Sequence, residues 1–170
     1  MSGPTAERLE ALLAEHGEAL WRLAGGYAAH RADREDLYQD IVLAVWQALP
    51  RFRGESSERT FVFRVAHNRG LTHRQRRRRI GWEPLDDDSP LPAMTPTPLA
   101  RAVEADARRR LHDALRTLPA GHRQVVMLTL EGLSQREIGD VLGISEGNVA
   151  VRLHRARKRL AALLDKEEES

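Results

Sequence analysis

Leu133-Ser-Gln-Arg-Glu-Ile-Gly-Asp-Val-Leu-Gly-Ile-Ser-Glu-Gly-Asn-Val149 holds two helix starts separated by one stop. Ser134 and Glu137 stand at capping-box spacing: the hydroxyl can accept from the Glu137 amide while the Glu side chain reaches back to the Ser134 amide. Leu133 ahead of the cap and Ile138 four positions inside it form a hydrophobic staple. Ile138, Val141 and Leu142 make an inner face, and Gly143 sits where a left-handed residue ends a helix. The start signal then repeats, with Ile144 before the cap, Ser145 as N-cap and Val149 as staple partner. Two short helices joined by the turn Gly143-Ile144-Ser145 are the layout of a DNA-reading helix-turn-helix.

The second of these helices is expected from Glu146 to about Leu164, and it divides cleanly by angle. Val149, Leu153, Ala156, Leu160 and Leu163 fall on one face at i, i+4, i+7, i+11 and i+14. Asn148, Arg152, Arg155 and Arg159 share another, with Arg157 and Lys158 on the remaining surface. Up to residue 163 only Glu146 opposes these five cations, so one face packs while the others meet solvent or phosphate. Upstream, Gly121 to Glu131 is expected as a short helix burying Val125, Val126, Leu128 and Leu130. Leu118-Pro119 ends an earlier helix that begins near Leu99.

Trp82 to Pro98 interrupts the helical spacing with five prolines and Asp86-Asp87-Asp88. It reads as a flexible acidic linker, and lacking a Gly turn and a closing Glu it is not a calcium loop. All eight aromatic residues lie before or at its edge, so the two halves have differently built cores. In the first half, Thr5 to Ala29 is expected as a helix with Leu9, Leu12, Leu13, Leu20 and Leu23 inward, Gly17 and Gly25-Gly26 being candidate breaks. A second helix starts at Asp33 as N-cap and runs to about Leu49, burying Leu37, Ile41, Ala44, Val45 and Ala48. After a polar loop, Arg51 to Ser57, a third runs from Glu58 to Arg79 with Phe61, Val62, Val65 and Ala66 inward. No stretch alternates in the manner of a strand. The expected fold is all-α: a domain over 1–81, the linker 82–98, and a helix-turn-helix domain over 99–170.

The chain has 170 residues, 31% of them charged, and a formal net charge of +2 that conceals blocks. Residues 1–60 carry 7 Arg against 10 acids, and 61–82 carry 7 Arg and no acid. Residues 83–106 carry 1 Arg against 6 acids, and 107–170 carry 12 basic residues against 9 acids. Two basic stretches flanking an acidic one predict contact with a polyanion at two places. With no cysteine, disulfides, thiolate nucleophiles and Cys-based metal sites are excluded. The scattered histidines offer no metal-ligand pair, and neither a phosphate-cradling Gly loop nor a Gly-x-Ser-x-Gly elbow occurs. No catalytic residue, cofactor or metal is expected, and the absence of a signal-like N-terminus or membrane span points to the cytoplasm.

The stretch from Glu131 to Val149, continued by Arg152-Leu-His-Arg-Ala-Arg-Lys-Arg-Leu160, closely resembles the −35-reading domain of bacterial RNA polymerase sigma factors. Asp36-Leu-Tyr-Gln-Asp-Ile-Val-Leu43 resembles the core-polymerase-binding helix of the extracytoplasmic-function (ECF) group. Thr60-Phe-Val-Phe-Arg-Val-Ala-His-Asn-Arg-Gly70 resembles that group's −10-reading helix. The resemblance spans about 20–79 and 107–163. It implies a dissociable subunit that binds core RNA polymerase, directs it to promoter DNA and melts the −10 element, with an anti-sigma factor as a further partner.

By that resemblance Asp36, Gln39 and Asp40 face core polymerase. Arg53 and Ser56 lie in the loop that captures an unstacked base, and Arg64, Asn68, Arg69, Arg74, Arg76 and Arg77 follow as strand and duplex contacts. Phe61 and Phe63 are read as core residues before stacking platforms. At the −35 element the implied contacts are Ser145, Asn148, Ala150, Val151, Arg152, His154, Arg155 and Arg157. Asn148 stands where the family usually has Thr, and Ala150 and Val151 stand where polar readers are common. Two alternatives are a sigma-like decoy for an anti-sigma factor and a free-standing helix-turn-helix regulator. The uncompensated Arg74–Arg79 run argues against the first, and Asp36, Gln39 and Asp40 argue against the second.

Overall fold

The computed structural model describes residues 4–28, 30–80, 110–111 and 114–168, and the described residues are helical or turn and loop throughout. Helix α1 spans Pro4–Gly25, α2 Arg31–Ala48 and α3 Glu58–Arg79. A 3₁₀ turn, Leu49–Arg51, follows α2 with Pro50 inside it. Helix α4 spans Ala120–Leu130, α5 Gln135–Leu142 and α6 Glu146–Glu168. The expected linker, and most of the helix expected from Leu99, lie outside the described residues; 110–111 and 114–116 are helical.

Helices α1, α2 and α3 pack mutually around Leu20, Leu23, Leu37, Ile41, Val45, Val62, Phe63 and Ala66, all fully or almost fully buried. Each of these side chains larger than Ala66 contributes about 1.5–3 kcal/mol relative to exposure. Ser57 starts α3 by accepting from the Thr60 amide at 3.1 Å. Phe63, one of the two candidate stacking platforms, lies wholly in this core, while Phe61 and Val65 are half-buried against it. Phe61 meets Phe52 with ring centroids 4.7 Å apart.

The structure differs from the sequence pattern at Gly17, Asp33 and Leu130. Helix α1 runs through Gly17 without a break, because Gly17 is a site of close packing, where a Cβ would come within 3.2 Å of the Tyr38 hydroxyl. Helix α2 begins two residues before Asp33, with His30 as N-cap, since the Asp33 carboxylate is engaged by Arg77 of α3 instead of capping. Leu130, expected inward, is 63% exposed because α4 ends at it and the chain turns away through Glu131 and Gly132.

In the C-terminal half, α5 and α6 close over α4 with Val125, Leu128, Ile138, Val141, Val149, Leu153 and Ala156 inside. The capping box at Ser134 and Glu137 is complete in both directions. Gly143 adopts φ 69°, a left-handed turn that a Cβ would strain. A Cβ on Gly139 would come within 2.7 Å of the Ile144 carbonyl, so only glycine lets the turn fold back on α5.

The two halves touch. Helix α3 packs on α5, and Met127 of α4 lies against Gly26 at the end of α1. Arg22 donates to both Glu131 carboxylate oxygens at 2.6 and 2.8 Å. Arg59 donates to the Glu131 carbonyl, and the Thr60 hydroxyl lies 3.5 Å from Glu137. Glu131 thus takes an arginine from α1 through its side chain and one from α3 through its backbone.

Candidate nucleic-acid interface

The outer side of α2 carries Asp36 and Gln39, both exposed, and Asp40, half-buried. Asp40 lies 3.6 Å from Arg69 of α3, and Asp33, one turn before Asp36, is paired with Arg77. An acidic strip on α2 therefore runs beside the basic strip of α3. His73 lies within its field and is held below the ordinary histidine range, chiefly by burial.

On the same helix the sequence reading passed over Leu43 and Trp46, which are 46% and 47% exposed. With Leu9, Leu13, Tyr38 and Val42 they line an open apolar groove between α1 and α2 that Gln39 also borders. Their interval from Gln39, four and seven positions, was the signal available. Leu9 and Leu13, expected in the core, lie only partly buried at this groove. Large apolar side chains grouped beside acceptors on a surface mark a place where another macromolecule docks.

The loop between the 3₁₀ turn and α3 turns at Gly54, at φ 75°. Arg53 is exposed, while Ser56 accepts from Arg64 at 3.1 Å, so one residue of the loop is tied to the first turns of α3. Arg8 of α1 braces the other side: it donates to Glu58 at 2.8 Å and its guanidinium lies 5.3 Å from the Phe52 ring. Along α3, Asn68 and Arg76 are exposed and Arg64, Arg69 and Arg74 are half-buried. Arg69 and Arg77 differ from the expectation of freely offered cations in that each has a carboxylate beside it, and Arg77 in particular joins α3 to α2.

The far side of α3 is fixed by a buried pair. The Tyr27 hydroxyl and Nδ1 of His67 share a hydrogen bond, and burial pushes the imidazole down to about 4, so the ring in this pair is the neutral one. The reason Tyr27 can lie so close is that α3 has glycine at 70, where a Cβ would collide with its ring. A second buried cation was also missed: Arg34, 4% exposed, donates to the Trp21 carbonyl at 2.8 Å and lies 4.2 Å above the Trp21 ring. Burial lowers its guanidinium to about 10.

Helix α6 places Ser145, Asn148, Val151, His154, Arg155 and Arg157 in the open and leaves Ala150 and Arg152 half-buried. Ser145 caps the helix, its hydroxyl accepting from the Asn148 amide at 3.2 Å. Val149, Leu153, Ala156 and Leu160 mark the buried face, and Asn148, Val151, His154 and Arg155 lie on the side of the helix turned away from it, with Arg157 exposed beside the buried stripe. Among the described residues no cluster of His, Asp and Glu could hold a metal, and no helix is long and apolar enough to cross a membrane.

Comparison with known proteins places both halves. Residues 12–80 match the family described as Sigma-70 region 2, and residues 108–160 match Sigma-70, region 4. The RNA polymerase sigma factor CnrH of Cupriavidus metallidurans is 34% identical over 166 residues, covering 93% of this chain and 87% of that one. The ECF RNA polymerase sigma factor SigL of Mycobacterium tuberculosis is 34% identical over 163 residues, covering 94% and 90%. SigE of Mycolicibacterium smegmatis is 33% identical over 157 residues, covering 91% of this chain and 61% of its own length. Among solved structures, CnrH bound to the cytosolic domain of CnrY matches with a TM-score of 0.68 at 30% identity, over 93% of this chain and 88% of that one. RpoE of Bartonella quintana bound to the anti-sigma factor NepR shares the fold, with a TM-score of 0.76 at 22% identity over 94% and 98%.

Proposed function

The chain belongs to the ECF group of bacterial RNA polymerase sigma factors, and from that we propose that it binds core RNA polymerase in the cytoplasm, directs it to promoters and opens the −10 element. The observation that carries this reading is the presence, in one chain and in this order, of a region-2 bundle with an acidic and apolar outer α2 face and a region-4 helix-turn-helix with a basic outer α6 face. Sigma factors are non-catalytic initiation factors, and the residues of this chain act by binding. The promoter-reading modules are taken as residues 1–81 and 99–170.

Core polymerase docks on α2. Asp36, Gln39 and Asp40 offer acceptors to a basic helical surface, and Leu43 and Trp46 supply the apolar centre that such an interface needs. A buried tryptophan ringed by polar contacts is the usual energetic core of a docking patch. Strand opening is carried by the loop and α3. Unstacking a base costs about a few kcal/mol, which a pocket for the extruded base offsets. Arg53 and Ser56, braced by Arg8 and Arg64, are placed to form that pocket, while Arg64, Asn68, Arg69, Arg74 and Arg76 follow the phosphates. Arg77 acts mainly through α2.

The −35 element meets the outer face of α6. Ser145, Arg155 and Arg157 position the helix on phosphates, His154 lies at the groove, and Val151 and Ala150 suit thymine methyl groups. Two of the matching solved structures are complexes with CnrY and NepR, which supports an anti-sigma factor as a partner here too. The test is run-off transcription with purified chain and core polymerase on a library of genomic promoters. Discrete transcripts that require both components are expected. Promoter binding by the chain alone, with no core-dependent transcript, would instead identify a free-standing regulator.

A further inference from the structure

The first turns of α6 hold a side-chain pair that sequence spacing alone leaves undirected. Arg152 Nε donates to Asn148 Oδ1 at 3.1 Å. An arginine Nε–H can only donate, so the atom facing it must be the amide oxygen, and this contact decides which way the Asn148 amide points. Arg152 is itself drawn back from the open surface. It is half-buried, and its Nη1 lies over Gly121 of α4, where an added Cβ would come to 2.9 Å. Asn148's backbone amide is already taken by Ser145, so its free polar end is the side-chain NH₂.

Base edges differ in what they offer such a group. Adenine in the major groove presents a donor beside an acceptor, so an asparagine makes its paired contact with it only when oxygen and nitrogen both face the base edge; the oxygen keeps a second lone pair, and it is its direction, toward Arg152, that decides. Guanine presents two acceptors, thymine one acceptor beside a methyl, and cytosine a donor. We propose that Asn148 reads an acceptor-only base edge, guanine or thymine, in the −35 element, and that Arg152 is the positioning residue that excludes adenine by holding the amide oxygen away. This rests on the sigma-factor reading and adds to it the base class recognised and the side chain that sets it. Arg152 then counts as the orienter of a reader and not as one more phosphate contact.

Holoenzyme assembled from core polymerase and the full chain is titrated onto duplexes in which every −35 base pair is replaced in turn by the other three. Asn148→Ala is expected to flatten base preference at one position, where the wild type favours guanine or thymine over adenine by about tenfold. Arg152→Leu and Arg152→Lys should raise adenine binding at that position alone. Arg152→Gln should keep the wild-type order, because its Nε2 stands the same number of bonds from the backbone as the arginine Nε while the charge is gone. A residue with only a packing or phosphate role would lower affinity on all sequences alike. The proposal is overturned by any of three results: a wild-type preference for adenine at the Asn148 position, no position that responds to Asn148→Ala, or Gln, Lys and Leu variants with the same base order. Run-off transcription by the wild type on the same templates is scored in parallel, and its absence would count against the sigma-factor reading itself.

Discussion

At the scale of single residues, His67 makes the sharpest demand on solution conditions. Its native pKa of about 4 lies below the ordinary histidine value of 6.5 because burial disfavours the imidazolium. The unfolded chain therefore binds more protons than the native one between these values, and stability rises with pH across that window. We expect about 3 kcal/mol to be lost as pH falls from 7 towards 4, and His67→Gln to flatten that slope in urea unfolding while the wild type keeps it. Residues whose partners sit within four positions were legible from sequence: Ser134, Glu137, Gly143 and Ser145 occupy the geometry their spacing demanded. Asp33 was not, because its partner is Arg77 on another helix, and no local pattern announces a contact across 44 positions. Tyr27, His67 and Arg34 were hidden for the same reason.

At the scale of elements, α3 and the starts of α5 and α6 were read to the residue, since caps and apolar periodicity agree there, while α6 runs four residues past the end expected at Leu164. The outer face of α2 was read only by half. Its acceptors stood out beside a known pattern, whereas Leu43 and Trp46 were invisible because an apolar residue on a helix reads as core until its neighbours are placed. That omission yields a test. Trp46→Ala should weaken core polymerase binding by about tenfold or more, the loss expected of an aromatic anchor, while thermal stability changes by less than 1 kcal/mol, as for a surface site. Asp40→Lys should weaken binding too, and it places a cation beside Arg69. Unaltered holoenzyme assembly by both variants, measured by competition against labelled wild-type chain, would remove α2 from the docking surface. Leu130 is the converse error: a periodic residue assigned inward that lies 63% exposed, because periodicity does not say where a helix stops.

At the scale of the whole molecule, the two halves are joined through Glu131, whose carboxylate and carbonyl receive Arg22 and Arg59. Composition hinted at separate cores but said nothing of this junction, which depends on a carbonyl that any residue would carry. Glu131→Ala should remove the Arg22 contact, weakening the closed arrangement by about 1 kcal/mol for a partly exposed pair. Small-angle scattering is the measurement: the variant should show a larger radius of gyration than the wild type, for which about 16 Å is expected when compact. Equal radii would mean that α3 on α5 suffices. The cysteine-free background allows single thiols to be introduced at Arg53 and Arg157 for a distance measurement free of competing label. That distance matters for reach. A compact chain of this size is about 40 Å across, whereas boxes named for sites about 25 base pairs apart stand about 85 Å from each other along a duplex rising ~3.4 Å per pair. If each half reads its own box as proposed, the chain folded shut touches one at a time, and straddling a promoter requires it to come apart at Glu131 and splay.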